Sequence, residues 1–255
     1  MIKFFRKIRQ NLLVKNKTGK YFKYAIGEII LVVIGILIAL QINNWNEDRK
    51  TKINEKELYS RILMNLQLDE KRINDYITFY KDEQSMHYKI YKDSQGIWNN
   101  DSIIDFSTLR GARIFNLTIG ANFSKLTEKI SQQEIGEIIN IYFESENNVK
   151  DALGYLWEYK DVRVRPFLSK YGINNTNELF NNRKLGYFEL RKKNIFSYSK
   201  LKEQYGTIEF DQLLFDLGIK TSWALTSLNN LLESNKTLQL NLRNELSEKN
   251  LTNEK

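Results

Sequence analysis

The 255-residue chain contains no cysteine, one histidine and one proline. Without cysteine there is no disulfide, no thiolate metal site and no cysteine nucleophile. A lone histidine, His87, excludes a multi-histidine metal site within one chain, and any Ser-His-Asp triad would have to use it. Lying between Met86 and Tyr88 in a helical pattern, it reads as a surface or packing residue. The lone proline, Pro166, lacks the N–H that a helix interior needs, so it is expected to end the helix it meets. No P-loop or GxGxxG run occurs. Carboxylate pairs of the glycosidase kind arise by chance among 31 acidic residues and mark no site. These absences predict a protein that is not an enzyme and needs neither metal nor cofactor.

The net charge of +8 is concentrated at one end. Eight of the 39 basic residues lie in residues 1–24 with no acid among them, which leaves 31 basic against 31 acidic residues elsewhere. A neutral main domain offers no basic face to follow a phosphate backbone, so no nucleic-acid partner is expected. With 42% hydrophobic residues, the chain has enough apolar side chains for a core.

Residues 25–42 read "AIGEIILVVIGILIALQI". Ile29 to Leu40 are twelve residues without a charge, ten of them Ile, Leu or Val, and contribute about −3 to −6 kcal/mol toward membrane insertion. Tyr21, Phe22 and Tyr24 precede the run and Trp45 follows it. Tyr24 and Trp45 are about 31 Å apart along a helix, close to a hydrocarbon thickness of about 30 Å, so Tyr21, Tyr24 and Trp45 are expected to be interfacial anchors. A cleaved signal would show small residues at alternating positions near its end, but Ala39 is flanked by Ile38 and Leu40. The segment is therefore expected to be an uncleaved signal-anchor. The basic flank puts residues 1–24 in the cytoplasm and the main domain outside, because Arg49, Lys50, Lys52 and Lys56 are offset by Glu47, Asp48, Glu55 and Glu57. The organisation is thus a cytoplasmic arm 1–24, a transmembrane helix 25–45 and an extracytoplasmic helical domain 46–255. In the arm, Ile2, Phe5, Ile8 and Leu12 recur at helical spacing among basic residues, a pattern suited to an anionic inner leaflet.

Glu28 lies within a turn of the cytoplasmic end of the span, where a carboxylate can reach the headgroups. Gly27, Gly35 and Ala39 lie on one side at multiples of four residues, and Gly35-x-x-x-Ala39 is a small-xxx-small pair. Gly27, Glu28, Gly35 and Ala39 are therefore the candidate contacts for a partner helix or a second copy.

The run "IKFFRKIRQNLL" and the following "GKYFKYAIGEIILVVIGILIALQINNWNEDRK" closely resemble the N-terminus of a family of uncharacterised Gram-negative bacterial proteins with one N-terminal span and a helical domain. The resemblance covers residues 2–50, with a fainter trace around "NFSKLTEKISQQEIGEIINIYF". It implies a plasma-membrane anchor and an envelope location; it carries no activity, ligand or catalytic residue.

Beyond the span the fold is expected to be all-α, an antiparallel bundle of long amphipathic helices with shorter helices on one side. Tyr59, Ile62, Leu66, Ile73, Ile77, Tyr80, Tyr88 and Tyr91 predict a long helix over about 47–93, continuing from the span and ended by "DSQGIWNND". Ser131-Gln-Gln-Glu134 has capping-box form and opens a second helix, with Ile135, Ile139, Tyr142, Val149, Leu153, Leu156 and Val164 on one face. Breaks are expected at Gly172, Gly186 and Gly206. From Ile208 a third helix shows Phe210, Leu214, Leu217, Leu225, Leu228, Leu232, Leu238, Leu242 and Leu246. Trp98, Phe115, Phe123, Tyr155, Trp157, Tyr159 and Trp223 are expected mainly to fill the core, with lining of a ligand pocket as the alternative. Two functions fit: a membrane-anchored scaffold or accessory subunit binding a protein partner or a second copy, or a ligand-sensing module signalling through a partner. The topology has a direct check. An impermeant maleimide should label Ser199→Cys in intact cells and spare Thr18→Cys; the reverse pattern would overturn the orientation.

Overall fold

The computed structural model describes residues 18–97, 107–117, 130–181 and 195–251. Among these the protein is all-α: α1 Thr18–Ser94, α2 Ser107–Arg110, α3 Gln133–Tyr159, a π-helical turn Lys160–Val164, α4 Arg165–Lys170, α5 Thr176–Asn181, α6 Tyr198–Lys202 and α7 Ile208–Leu251. The only β pairing among the described residues is an isolated bridge between Asn174 and Phe196. Two compact units divide between Leu58 and Tyr59, within α1.

The first unit contains the apolar part of α1. This helix is long and apolar enough to cross a membrane, and none of its most apolar 18-residue window is buried. A soluble core helix would hide that surface.

In the second unit, α1 from Tyr59, α3 and α7 form a helical bundle. Tyr59 meets Gln132 and Glu83 meets Lys160, so α1 and α3 run parallel. Gln84 meets Ser222 and the carbonyl of Leu66 meets Asn235, so α7 runs antiparallel to α1. Ser145 with Ser234, and Tyr159 with the carbonyl of Leu213, make it antiparallel to α3 as well. The core is the apolar stripe of each helix, including Tyr59, Ile62, Leu66, Tyr142, Leu156 and Leu217.

α1 ends as its turn residues predict. Gly96 has φ +69°, and the N–H groups of Gly96 and Ile97 donate to the carbonyls of Asp93 and Lys92. Gly172, φ +63°, closes α4 in the same way, onto Ser169 and Leu168. Only a residue without Cβ adopts this left-handed cap freely. Gly206 also has positive φ, while Gly186 lies outside the described residues.

Pro166 does not end the second helix. The π turn comes first, with the N–H of Arg165 donating to the carbonyl of Lys160, and α4 restarts with Pro166 in its first turn. A first-turn residue needs no internal donor, and the wider π turn relieves the ring's crowding against the preceding turn. The expected capping box is also displaced: Gln132 is the N-cap of α3, and its side chain does not cap. Its amide instead donates to Glu245 of α7 at 2.6 Å, and its oxygen accepts from Tyr59 of α1.

The π turn places Lys160 wholly inside the bundle. Its ammonium donates to Glu83 Oε1 at 2.7 Å and to the carbonyls of Thr108 (3.0 Å) and Gly111 (2.6 Å), while Thr221 donates to the same glutamate oxygen at 3.4 Å. Removing one partner of such a buried pair leaves an uncompensated charge and costs about 3–5 kcal/mol, whereas replacing both costs far less. Urea unfolding of the full chain should therefore show Lys160→Met strongly destabilised and Lys160→Met/Glu83→Gln largely restored. Equal losses in the two variants would contradict this role.

Candidate functional site

The predicted core stripe of α1 is correct up to Tyr80 and then diverges. Beyond it, Glu83, His87 and Ile90 are buried, while Tyr88 and Tyr91 are exposed. Polar side chains hold core positions at the 3–4 spacing, and the stripe read from apolar residues alone skipped onto the wrong face. Asp69 is buried for the same reason, as are Asn235 and Gln239 on α7. Asn235 donates to the carbonyl of Leu66, and Gln239 donates to both Glu70 and Asn235. Leu231 is buried where Leu232 was expected, and Leu232 and Leu246 are half-buried.

The displaced tyrosines border a groove between α1 and α7. It encloses about 530 Å³, with Tyr88, Tyr91, Phe215 and Ile219 among its walls and His87 and Leu214 in its lining. Gln84 donates to Ser222 at 2.9 Å within this lining. His87 is only 4% exposed, and neither ring nitrogen makes a hydrogen bond. Glu83 Oε1 lies 3.9 Å from Nε2. Burial, followed by the nearby Lys160 ammonium, lowers the imidazole pKa to about 3, so His87 is neutral at physiological pH. It is a packing residue, as expected. Among the described residues, no group of three or more His, Cys, Asp or Glu could hold a metal ion.

A second cavity, of about 480 Å³, lies between α3 and α7. Its lining includes Ser145, Asn148, Asp151, Thr226 and Asn230, with Tyr155 and Trp223. The two aromatic rings stack with centroids 5.4 Å apart and 25° between their planes, and Tyr155 is 52% and Trp223 45% exposed.

The expectation that the singled-out aromatics fill the core is therefore overturned for those described. Tyr155, Trp157 and Trp223 are exposed, and Phe115 and Tyr159 are half-buried; Trp98 and Phe123 lie outside the described residues. Smaller stripe residues and other rings, Tyr59, Tyr80, Tyr142, Phe167, Phe196 and Phe210, already fill the interior. Of the candidate span contacts, Gly27, Glu28, Gly35 and Ala39 all lie on α1, and a Cβ added at Gly27 or Gly35 would meet nothing within 4 Å. Trp45 is exposed. Tyr21 and Tyr24 lie on α1, but their side chains, like the arm over residues 1–17, fall outside the described set.

A family model described as "Family of unknown function (DUF6090)" matches residues 28–106. This stretch takes in the apolar helix, Glu83 and His87. No curated protein and no solved structure matches the chain.

The unfolded chain protonates His87 near pH 6.5, whereas the folded chain does so only near pH 3. Folding therefore loses stability as pH falls through that window, by about 3 kcal/mol at pH 4 from this residue. In urea melts from pH 7 to pH 4, His87→Gln should lose that much less stability than the wild type. Equal slopes would show that the imidazole is solvated in the folded protein.

Proposed function

We propose that this is a membrane-anchored bacterial envelope protein, with its N-terminus cytoplasmic and its helical domain outside, that docks another protein and serves as an accessory or scaffold subunit. The exposed apolar helix and the basic arm support the anchor.

The docking reading rests on one face of α7. Thr221 to Leu232 contains no charged residue in a chain that is 27% charged, yet Ser222, Trp223, Thr226, Asn229 and Asn230 are exposed within it. A solvated helix face normally carries charges. Depletion of charge around an exposed Trp, with uncharged hydrogen-bonding groups alongside, is the composition of an interface core; the cavity beside it has one carboxylate in its lining, Asp151. The Tyr155–Trp223 stack adds a rigid anchor at that face.

Partner and self-association are distinguishable. A photo-crosslinking phenylalanine analogue at Thr226, in the full chain in cells, should capture one recurrent different protein, identified by mass spectrometry. Trp223→Asp should abolish the product, and the same probe at Lys81 should not give it. Self-crosslinks alone, or a product that survives Trp223→Asp, would overturn the reading. The ligand-sensing alternative rests on the other face of the bundle, at the groove over His87.

A further inference from the structure

We propose that the cavity between α3 and α7 receives an arginine side chain of the docked partner, with its guanidinium bonded to Asp151 and stacked on the Tyr155–Trp223 pair. This rests on the docking reading for the source of the arginine, whereas the chemistry follows from the cavity itself.

The lining holds polar groups that the chain leaves unmet. Ser227 lines the cavity and is only 6% exposed, yet its hydroxyl makes no hydrogen bond among the described residues. A serine inside a helix can bond the carbonyl one turn back, as Thr226 does here to Ser222. The Ser227 hydroxyl is also not sealed in, unlike the fully enclosed polar atoms of the core. The Asp151 carboxylate and the amides of Asn148 and Asn230, all in the same lining, have no partner among the described residues either. Lys150, next to Asp151 in the sequence, is committed to Glu146 at 2.7 Å. A mostly buried polar group left unmet is costly, so a ligand rich in donors completes this wall.

Charge decides which donors. Asp151 is the one charged residue in the lining, and α3 as a whole carries six acidic residues against one basic. Four of the acids, Glu137, Glu144, Asp151 and Glu158, are exposed at seven-residue intervals, which places them in one stripe along the helix. An anion is therefore repelled. A neutral ligand such as a saccharide would meet the amides equally well but would leave the carboxylate and the stripe without a counter-charge.

The rings select among cations. Tyr155 and Trp223 stack with centroids 5.4 Å apart and remain about half exposed, so ring surface is open at the cavity. A planar guanidinium stacks on such a ring while its fork of N–H groups meets a carboxylate. A lysine ammonium is a compact, strongly hydrated point charge that makes no fork.

The full chain in nanodiscs, with its four tryptophans replaced by 5-fluorotryptophan, gives a ¹⁹F signal for Trp223 that is identified by its loss in Trp223→Phe. Titration with the acetylated, amidated tripeptide Gly-Arg-Gly should shift that signal saturably. The citrulline peptide, of the same shape without the charge, should bind at least tenfold more weakly, the loss of a charge-assisted hydrogen bond. The lysine peptide should bind severalfold more weakly. Asp151 is exposed, so Asp151→Asn leaves the fold intact, and it should weaken the arginine peptide about tenfold. In cells, a photo-crosslinking phenylalanine analogue at Asn229, next to Asn230 but outside the lining, should lose most of its partner product in the Asp151→Asn background. No saturable shift, equal binding of the arginine and citrulline peptides, or a partner product indifferent to Asp151→Asn would overturn the arginine anchor and leave the docking face standing. An Asp151-dependent arginine response with no partner product in cells would instead support the guanidinium site and overturn the docking reading.

Discussion

The buried pair of Lys160 and Glu83 is the constraint around which the bundle is built. Two charges taken out of water lose several kcal/mol of hydration each, and mutual attraction offsets that loss only when geometry and further hydrogen bonds are good. Here the ammonium donates to Glu83 and to the carbonyls of Thr108 and Gly111. The pair connects α1 to the π turn after α3, draws in the segment around α2, and through Thr221 reaches α7. The π turn belongs to the same arrangement: it shifts the helical register so that Lys160 points inward and lets Pro166 follow in a first turn.

A second polar set, about four to five turns away along α1, repeats the device. Asn235 and Gln239 of α7 meet Leu66 and Glu70 of α1. Apolar stripes alone tolerate sliding and rotation between helices, whereas buried polar groups are satisfied in one register. With rotation fixed, the outward faces are fixed too. Tyr88 and Tyr91 turn outward because Glu83 and His87 occupy the core positions, and Trp223 turns outward because Thr221, Ala224 and Leu225 face inward. The groove and the uncharged face thus follow from the placement of the buried polar residues.

The far end of α1 is held by a third polar contact. Asp93 Oδ2 accepts from both Tyr198 and Tyr205 at 2.7 Å, joining the end of that helix to α6 and the turn before α7. Burial and this carboxylate raise the Tyr205 pKa well above its ordinary value, so the phenol remains a donor. The wall of the groove formed by α1 is therefore secured at the end near Tyr91.

The sequence by itself determined the all-α class, the exposed apolar helix near the N-terminus, the three long bundle helices and the glycine ends at Gly96 and Gly172. Each of these depends on local chemistry: periodicity, aliphatic length, or freedom at positive φ. It misplaced what depends on partners distant in sequence. Nothing near Lys160 indicates that a lysine will be buried, since its partner is 77 residues away, and nothing near Pro166 indicates a π turn. His87 was legible as a packing residue, but the groove above it was not, because its walls come from helices more than a hundred residues apart. Only the tertiary structure decided which faces of α1 and α7 meet solvent, because burying the charges and amides fixed a rotation that hydrophobic periodicity left open.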